Sequence, residues 1–91
     1  MKTDYMLNYG DKNVLIETQL ETRKDVIGKY KACRKGKGMT QVQLASRTGI
    51  SQPNITRFES GNYNPSLEMM VRMASALDMT LDVKLVKSEE A

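Results

Sequence analysis

The sequence predicts a mainly α bundle of four short helices followed by a C-terminal β-strand. Three observations carry that expectation. Capping residues recur at Thr40, Ser51 and Ser66, glycines stand at helix ends at Gly49 and Gly61, and the apolar period changes from helical to alternating beyond residue 79.

The first helix is expected to begin at Thr18, from the capping box Thr18-x-x-Glu21, or at Thr22, from the weaker Thr22-x-x-Asp25. Val26, Ile27, Tyr30 and Cys33 fall on one face at helical spacing, and the run Gly36-Lys37-Gly38 supplies the stop. Thr40-x-x-Gln43 is a second capping box. It opens a short helix that carries Val42, Leu44 and Ala45 and ends at Gly49. Ser51 caps a third helix with Pro53 in its first turn, where a missing N–H costs nothing, and Gly61 ends it. Ile55 and Phe58 face inward. Ser66 caps a fourth helix on which Leu67, Met70, Val71, Ala74 and Leu77 keep an amphipathic spacing.

In "TLDVKLVK" the residues Leu81, Val83 and Leu85 alternate with Asp82 and Lys84, which predicts a half-buried strand over residues 80–87. A strand needs a ladder partner. Either residues 13–17 of the same chain or the same segment of a second copy supplies it, and the symmetric ribbon between two copies is the favoured expectation. Residues 1–19 are expected to be an extension or a strand, with a hairpin around "YGDKN" or an ordering arm as alternatives. Residues 20–79 form the expected domain, and residues 88–91 a frayed tail.

Composition narrows the function. A chain of 91 residues buries a limited fraction of its surface, so a single domain stabilised by association is expected. Its 40% hydrophobic and 27% charged residues suit a folded protein. With one cysteine, Cys33, and no histidine, the sequence offers no intrachain disulfide, no common zinc site and none of the usual histidine-based acid–base pairs. Neither an enzyme nor a bound cofactor or metal is expected. No apolar run approaches a membrane span, and the N-terminus lacks the apolar core of a signal peptide, so the expectation is a cytoplasmic protein with no membrane partner.

Charge is uneven along the chain. Between residues 20 and 66, Arg23, Lys24, Lys29, Lys31, Arg34, Lys35, Lys37, Arg47 and Arg57 face only Glu21, Asp25 and Glu59. That excess suits a polyanion, although a solvated basic helix face has the same composition. Two short helices joined by a tight glycine-containing turn, with basic residues around them, describe a helix-turn-helix. Residues 40–48 form its first helix and residues 52–60 its second.

The stretch "TQVQLASRTGISQPNITRFESGNYNPSLEMMVRMASAL" resembles the Cro/repressor-type helix-turn-helix family, also called the xenobiotic-response-element family. Gln41, Leu44, Ala45, Gly49, Ser51, Ile55, Glu59, Gly61, Pro65 and Ser66 fall where the family's motif has them. The resemblance implies a lambda-repressor-like helix-turn-helix bundle of four to five helices that binds DNA, usually as a dimer on palindromic operators. It also implies that Arg34 pairs with Glu59, a structural tie between the first helix and the recognition helix. The alternative for Arg34 is a phosphate contact.

The expected base contacts are Gln52, Asn54, Thr56 and Arg57 on the outer face of the third helix. Gln52 in the first turn can pair with adenine N6 and N7, and Arg57 can reach guanine or a phosphate. Gln41, Asn62, Tyr63 and Asn64 are the expected phosphate contacts. Gln41 stands at a helix N-terminus where N–H groups face an anion, and the three others form the polar turn after the recognition helix. Pro53 departs from the family, which often carries a polar residue there. Leu81, Val83 and Leu85 are the expected dimerisation residues.

Two functions follow as expectations. One is sequence-specific binding of double-stranded DNA by a homodimeric regulator, a repressor. The other is an antitoxin that binds a toxin protein and represses its own operon, because a small Cro-like domain followed directly by an "LDVKLV" segment looks like HigA-type antitoxins. The N-terminal arm is then the candidate toxin contact.

Overall fold

The computed structural model describes residues 11–87, which form four helices: α1 (Asp11–Gly36), α2 (Gln41–Thr48), α3 (Gln52–Ser60) and α4 (Leu67–Ala76). The mainly α bundle is thus present with four helices rather than five, and no strand occurs among the described residues. Expectations for residues 1–10 and 88–91 lie outside this range.

The short helices start where their capping residues stand. Thr40 Oγ1 accepts from the Gln43 N–H at 3.0 Å, and the Thr40 N–H donates to Gln43 Oε1 at 2.8 Å, a complete capping box. Ser51 and Ser66 accept from the N–H groups of Asn54 and Met69 in the same way. Gly49 (φ 78°) and Gly61 (φ 83°) end α2 and α3 in the left-handed conformation that glycine adopts without a Cβ clash. Asp78, at φ 60°, plays that part after α4, within 3.5 Å of Lys37 Nζ.

The first helix departs from expectation at its start. It begins at Asp11, so residues 11–19 are neither strand nor hairpin, and neither Thr18 nor Thr22 caps it. Thr18 lies inside the helix, where its hydroxyl donates back to the Val14 carbonyl at 2.9 Å, a bond that satisfies the hydroxyl without ending the helix. Residues 13–20 are all exposed, among them Val14, Leu15, Ile16 and Leu20.

Core formation begins further along α1. Ile27 and Tyr30 pack with Leu44 of α2, Ile55 and Phe58 of α3, and Met73, Ala74 and Leu77 at the end of α4. Phe58, Leu44, Ile55 and Met73 are fully buried. Each such side chain contributes about 1.5–3 kcal/mol by leaving water. Tyr30 meets Phe58 edge to face with ring centroids 5.4 Å apart, and its hydroxyl donates to the Met70 carbonyl at 2.8 Å. Burial pushes that hydroxyl's pKa upward, so it stays a donor. On α4 the buried face centres on Met73, Ala74 and Leu77, whereas Leu67 and Val71, expected inside, are exposed.

Residues 80–87 form no strand in the single chain. Leu81 packs partly against the core, while Val83, Leu85 and Val86 are exposed, Leu85 completely. The segment has the alternation of a strand but no neighbouring backbone with which to form a ladder, because residues 13–17 are committed to α1.

Candidate nucleic-acid interface

The site grows outward from a buried ion pair. Ile27, Tyr30 and Arg34 are spaced i, i+3, i+7, so Arg34 lies on the core face of α1 and not on its basic outer face. Its Nε donates to Glu59 Oε2 at 2.7 Å and its Nη2 to Glu59 Oε1 at 2.9 Å, with the two side chains 8% and 2% exposed. Nη1 donates to the Met39 carbonyl at 2.7 Å, so one guanidinium joins α1, the loop before α2, and α3. Arg34 is thus turned inward onto Glu59 and the Met39 carbonyl, away from the exposed basic residues of α1.

Charge states follow from this packing. Burial alone would push the Glu59 carboxyl up. The hydrogen bonds from Arg34 and Gln41, with the charges of Arg34 and Lys31, outweigh it and hold the carboxyl below the usual glutamate range. The hydrogen bond to Glu59 likewise raises Arg34 against the opposing effect of burial. Both groups are ionised.

From Glu59 the network runs to the surface. Gln41, the first residue of α2, donates from Nε2 to Glu59 Oε1 at 3.0 Å. Its Oε1 accepts from Thr56 Oγ1 at 2.7 Å and from Gln52 Nε2 at 3.2 Å. Gln52 Nε2 also donates to Thr56 Oγ1 at 2.6 Å. Gln52 and Thr56, one turn apart on α3, are thus held together by a glutamine that is itself held by a buried carboxylate.

The other two expected base contacts form a separate group. Arg57 Nη1 donates to Asn54 Oδ1 at 3.1 Å, and the guanidinium lies 6.0 Å from the Tyr63 ring centroid, near the outer limit for a cation–π contact. Asn54 and Tyr63 line one shallow pocket with Ser66, the N-cap of α4, and Arg72 in the middle of that helix. The four residues expected on one reading face therefore divide into two: Gln52 and Thr56 toward α2, and Asn54 and Arg57 toward the turn that carries Tyr63.

Among the expected phosphate contacts, Gln41 is the first residue of α2 and gives one N–H of its side-chain amide to Glu59, while its Oε1 accepts from Thr56 and Gln52. Asn62 is exposed after α3. Asn64 lines a cavity with Arg23, Ile27 and Pro65, bordered by α1. Pro53 is exposed in the first turn of α3.

Two roles were not anticipated. Thr56 joins Gln41 to Gln52, and Arg23 Nη1 donates to the Gly61 carbonyl at 3.4 Å at the end of α3. The signal for Arg23 lay in spacing, since Arg23, Ile27, Tyr30 and Arg34 share one face of α1. Leu81, Val83 and Leu85 lie well apart from the α3 surface in sequence. Leu81 lines a groove with Val26, Tyr30 and Cys33 of α1, and Val83 and Leu85 project into solvent.

No described helix is long and apolar enough to cross a membrane. Comparison with known proteins agrees with the geometry. The Helix-turn-helix family model matches residues 31–84. The HTH-type transcriptional regulator YqaE of Bacillus subtilis is 37% identical over 59 residues, covering 65% of this chain and 50% of that protein. The immunity repressor protein of Bacillus phage phi105 is 35% identical over 68 residues, covering 69% of this chain and 47% of the repressor. The chain spans about half the length of the curated relatives it matches. Among solved structures, a chain of a toxin–antitoxin module from Streptococcus pneumoniae superposes with a TM-score of 0.63 at 29% identity, covering 84% of this chain and 81% of that one. The capped α2 and α3, the glycine turn between them and this family match together place the chain in the Helix-turn-helix family, of the Cro/repressor type.

Proposed function

We propose that this chain binds double-stranded DNA sequence-specifically as a homodimer and acts as a transcriptional repressor on a palindromic operator. The observation that carries the reading is the Gln41, Gln52 and Thr56 group, which sets polar side chains on the outer face of α3 and anchors them through Glu59 to the core. Amides held this way lose little freedom when they meet a base edge, and preorganisation of that kind favours specific over nonspecific binding. Arg57 and the polar turn of Asn62 and Tyr63 flank the group and suit the neighbouring phosphates. Two copies joined through residues 81–87 would present two α3 helices to successive major grooves, about 34 Å apart.

Selection from a random pool of double-stranded DNA, followed by fluorescence anisotropy, tests the reading. The enriched site should be a two-fold repeat bound at least about a thousandfold more tightly than scrambled DNA. An unenriched pool defeats it.

A second reading is favoured by one feature of α1. Val14, Leu15, Ile16 and Leu20 stand exposed on its first half, an apolar segment with no partner among the described residues. Together with the likeness to a chain of a toxin–antitoxin module, this supports an antitoxin whose first helix, with residues 1–10, holds a toxin. Co-expression with the product of the adjacent gene and pull-down is the test. A complex that survives in wild type and is lost in Leu15→Asp/Ile16→Asp supports the reading, and no complex defeats it.

A further inference from the structure

The amides around Gln52 have a fixed polarity. Glu59 is ionised, and a carboxylate oxygen only accepts, so the Gln41 atom 3.0 Å from it is the donor Nε2. Gln41 Oε1 therefore faces α3, where it accepts from the Thr56 hydroxyl and from Gln52. The Gln52 atom on it must then be the amide nitrogen, the same atom that donates to Thr56 Oγ1 at 2.6 Å. A side-chain amide nitrogen has two N–H bonds, and here both are taken, one by Gln41 and one by Thr56.

We propose that Thr56 is a positioning residue for base specificity: by taking the second N–H of Gln52, it leaves that side chain presenting only its carbonyl oxygen to the major groove. The inference rests on the DNA-binding reading above. Adenine offers an N6 amino donor beside the N7 acceptor, and the two-bond pairing of glutamine with adenine needs a free N–H for N7. Gln52 has none free. Its Oε1 accepts equally from adenine N6 or cytosine N4 and meets only acceptors, O6 or O4, on guanine or thymine. The base it selects is thus defined by an exocyclic amino group, adenine or cytosine without distinction.

Removal of the Thr56 hydroxyl changes this. In Thr56→Val the second N–H of Gln52 is released, while its first stays on Gln41, so the side chain gains the donor that adenine N7 requires. Thr56→Ser keeps a hydroxyl at the same place. Thr56 is exposed, so neither substitution empties a core position.

The test is selection from a random double-stranded DNA pool with the full chain and its variants, each checked for folding by circular dichroism. Gln52→Ala identifies the position whose preference depends on Gln52. There the wild-type chain and Thr56→Ser should recover adenine and cytosine in comparable amounts, and Thr56→Val should favour adenine over cytosine by about tenfold. Adenine alone in the wild-type pool overturns the proposal. So does a Thr56→Val pool with an unchanged adenine-to-cytosine ratio, the result of a merely structural threonine, or a Gln52→Ala pool with no altered position. Failure of the wild-type chain to enrich any sequence overturns the DNA-binding reading and this inference with it, and is distinct from a selected motif with the wrong base.

Discussion

Arg34 and Glu59, 25 positions apart in sequence, face each other through two parallel hydrogen bonds of 2.7 and 2.9 Å in the interior of the bundle. The pair fixes more than the packing of α1 on α3, because Glu59 also orients Gln41 and, through it, Gln52. The buried ion pair and the proposed DNA-reading surface are thus parts of one hydrogen-bond network.

Removing one partner leaves the other charge buried without compensation. Glu59→Ala should cost about 3–5 kcal/mol in urea denaturation, whereas replacing Arg34 and Glu59 together by apolar residues of similar size should cost much less. Equal costs for the single and double replacements would show that the pair is not coupled.

The pH dependence follows from the same carboxyl. Its pKa is depressed in the folded chain, so its contribution to stability is fully present above the ordinary glutamate range and is lost as pH falls through the lower folded value. Wild-type stability should therefore drop on acidification through and below the ordinary glutamate range. Glu59→Gln should be less stable at neutral pH and flatter through that range in thermal melts taken between neutral and acid pH.

Gly49 turns the chain between α2 and α3 at φ 78°, and open space surrounds the position where a Cβ would stand. Gly49→Ala therefore meets only backbone strain, about 1–2 kcal/mol, and no packing clash. Urea midpoints should fall accordingly, and Gly49→Asn should fall less, because asparagine tolerates the left-handed region better.

Much of this was legible in the sequence, and the misses share a cause. Thr40, Ser51, Gly49 and Gly61 act within a few residues of themselves, so their spacing fixed α2, α3 and the turn between them. Thr18 carries the same local signature, yet its hydroxyl bonds within the helix, and a capping motif alone does not tell the two outcomes apart. Residues 80–87 alternate as a strand does, but a ladder needs a free backbone beside it, and residues 13–17, the same-chain candidate, are in α1. Within the site, the role of Arg34 followed from a family pattern. The link from Gln41 through Thr56 to Gln52 needs the relative placement of α2 and α3, which no spacing encodes.

The exposed run of Val83, Leu85 and Val86 bears on self-association. If residues 81–87 pair between two copies, Val83→Asp should shift the chain from dimer to monomer in sedimentation velocity while the circular-dichroism spectrum stays helical. A dimer of unchanged mass would remove this segment from the interface.

If the α3 surface around Gln52 reads base sequence, as proposed, the ratio of specific to nonspecific affinity depends on that side chain. Fluorescence anisotropy of wild type and Gln52→Ala should be compared on the selected site and on a scrambled duplex at the same salt. Gln52→Ala should lose about 1–3 kcal/mol on the selected site and change little on the scrambled one. An equal loss on both duplexes, or none on either, would contradict the base-reading proposal.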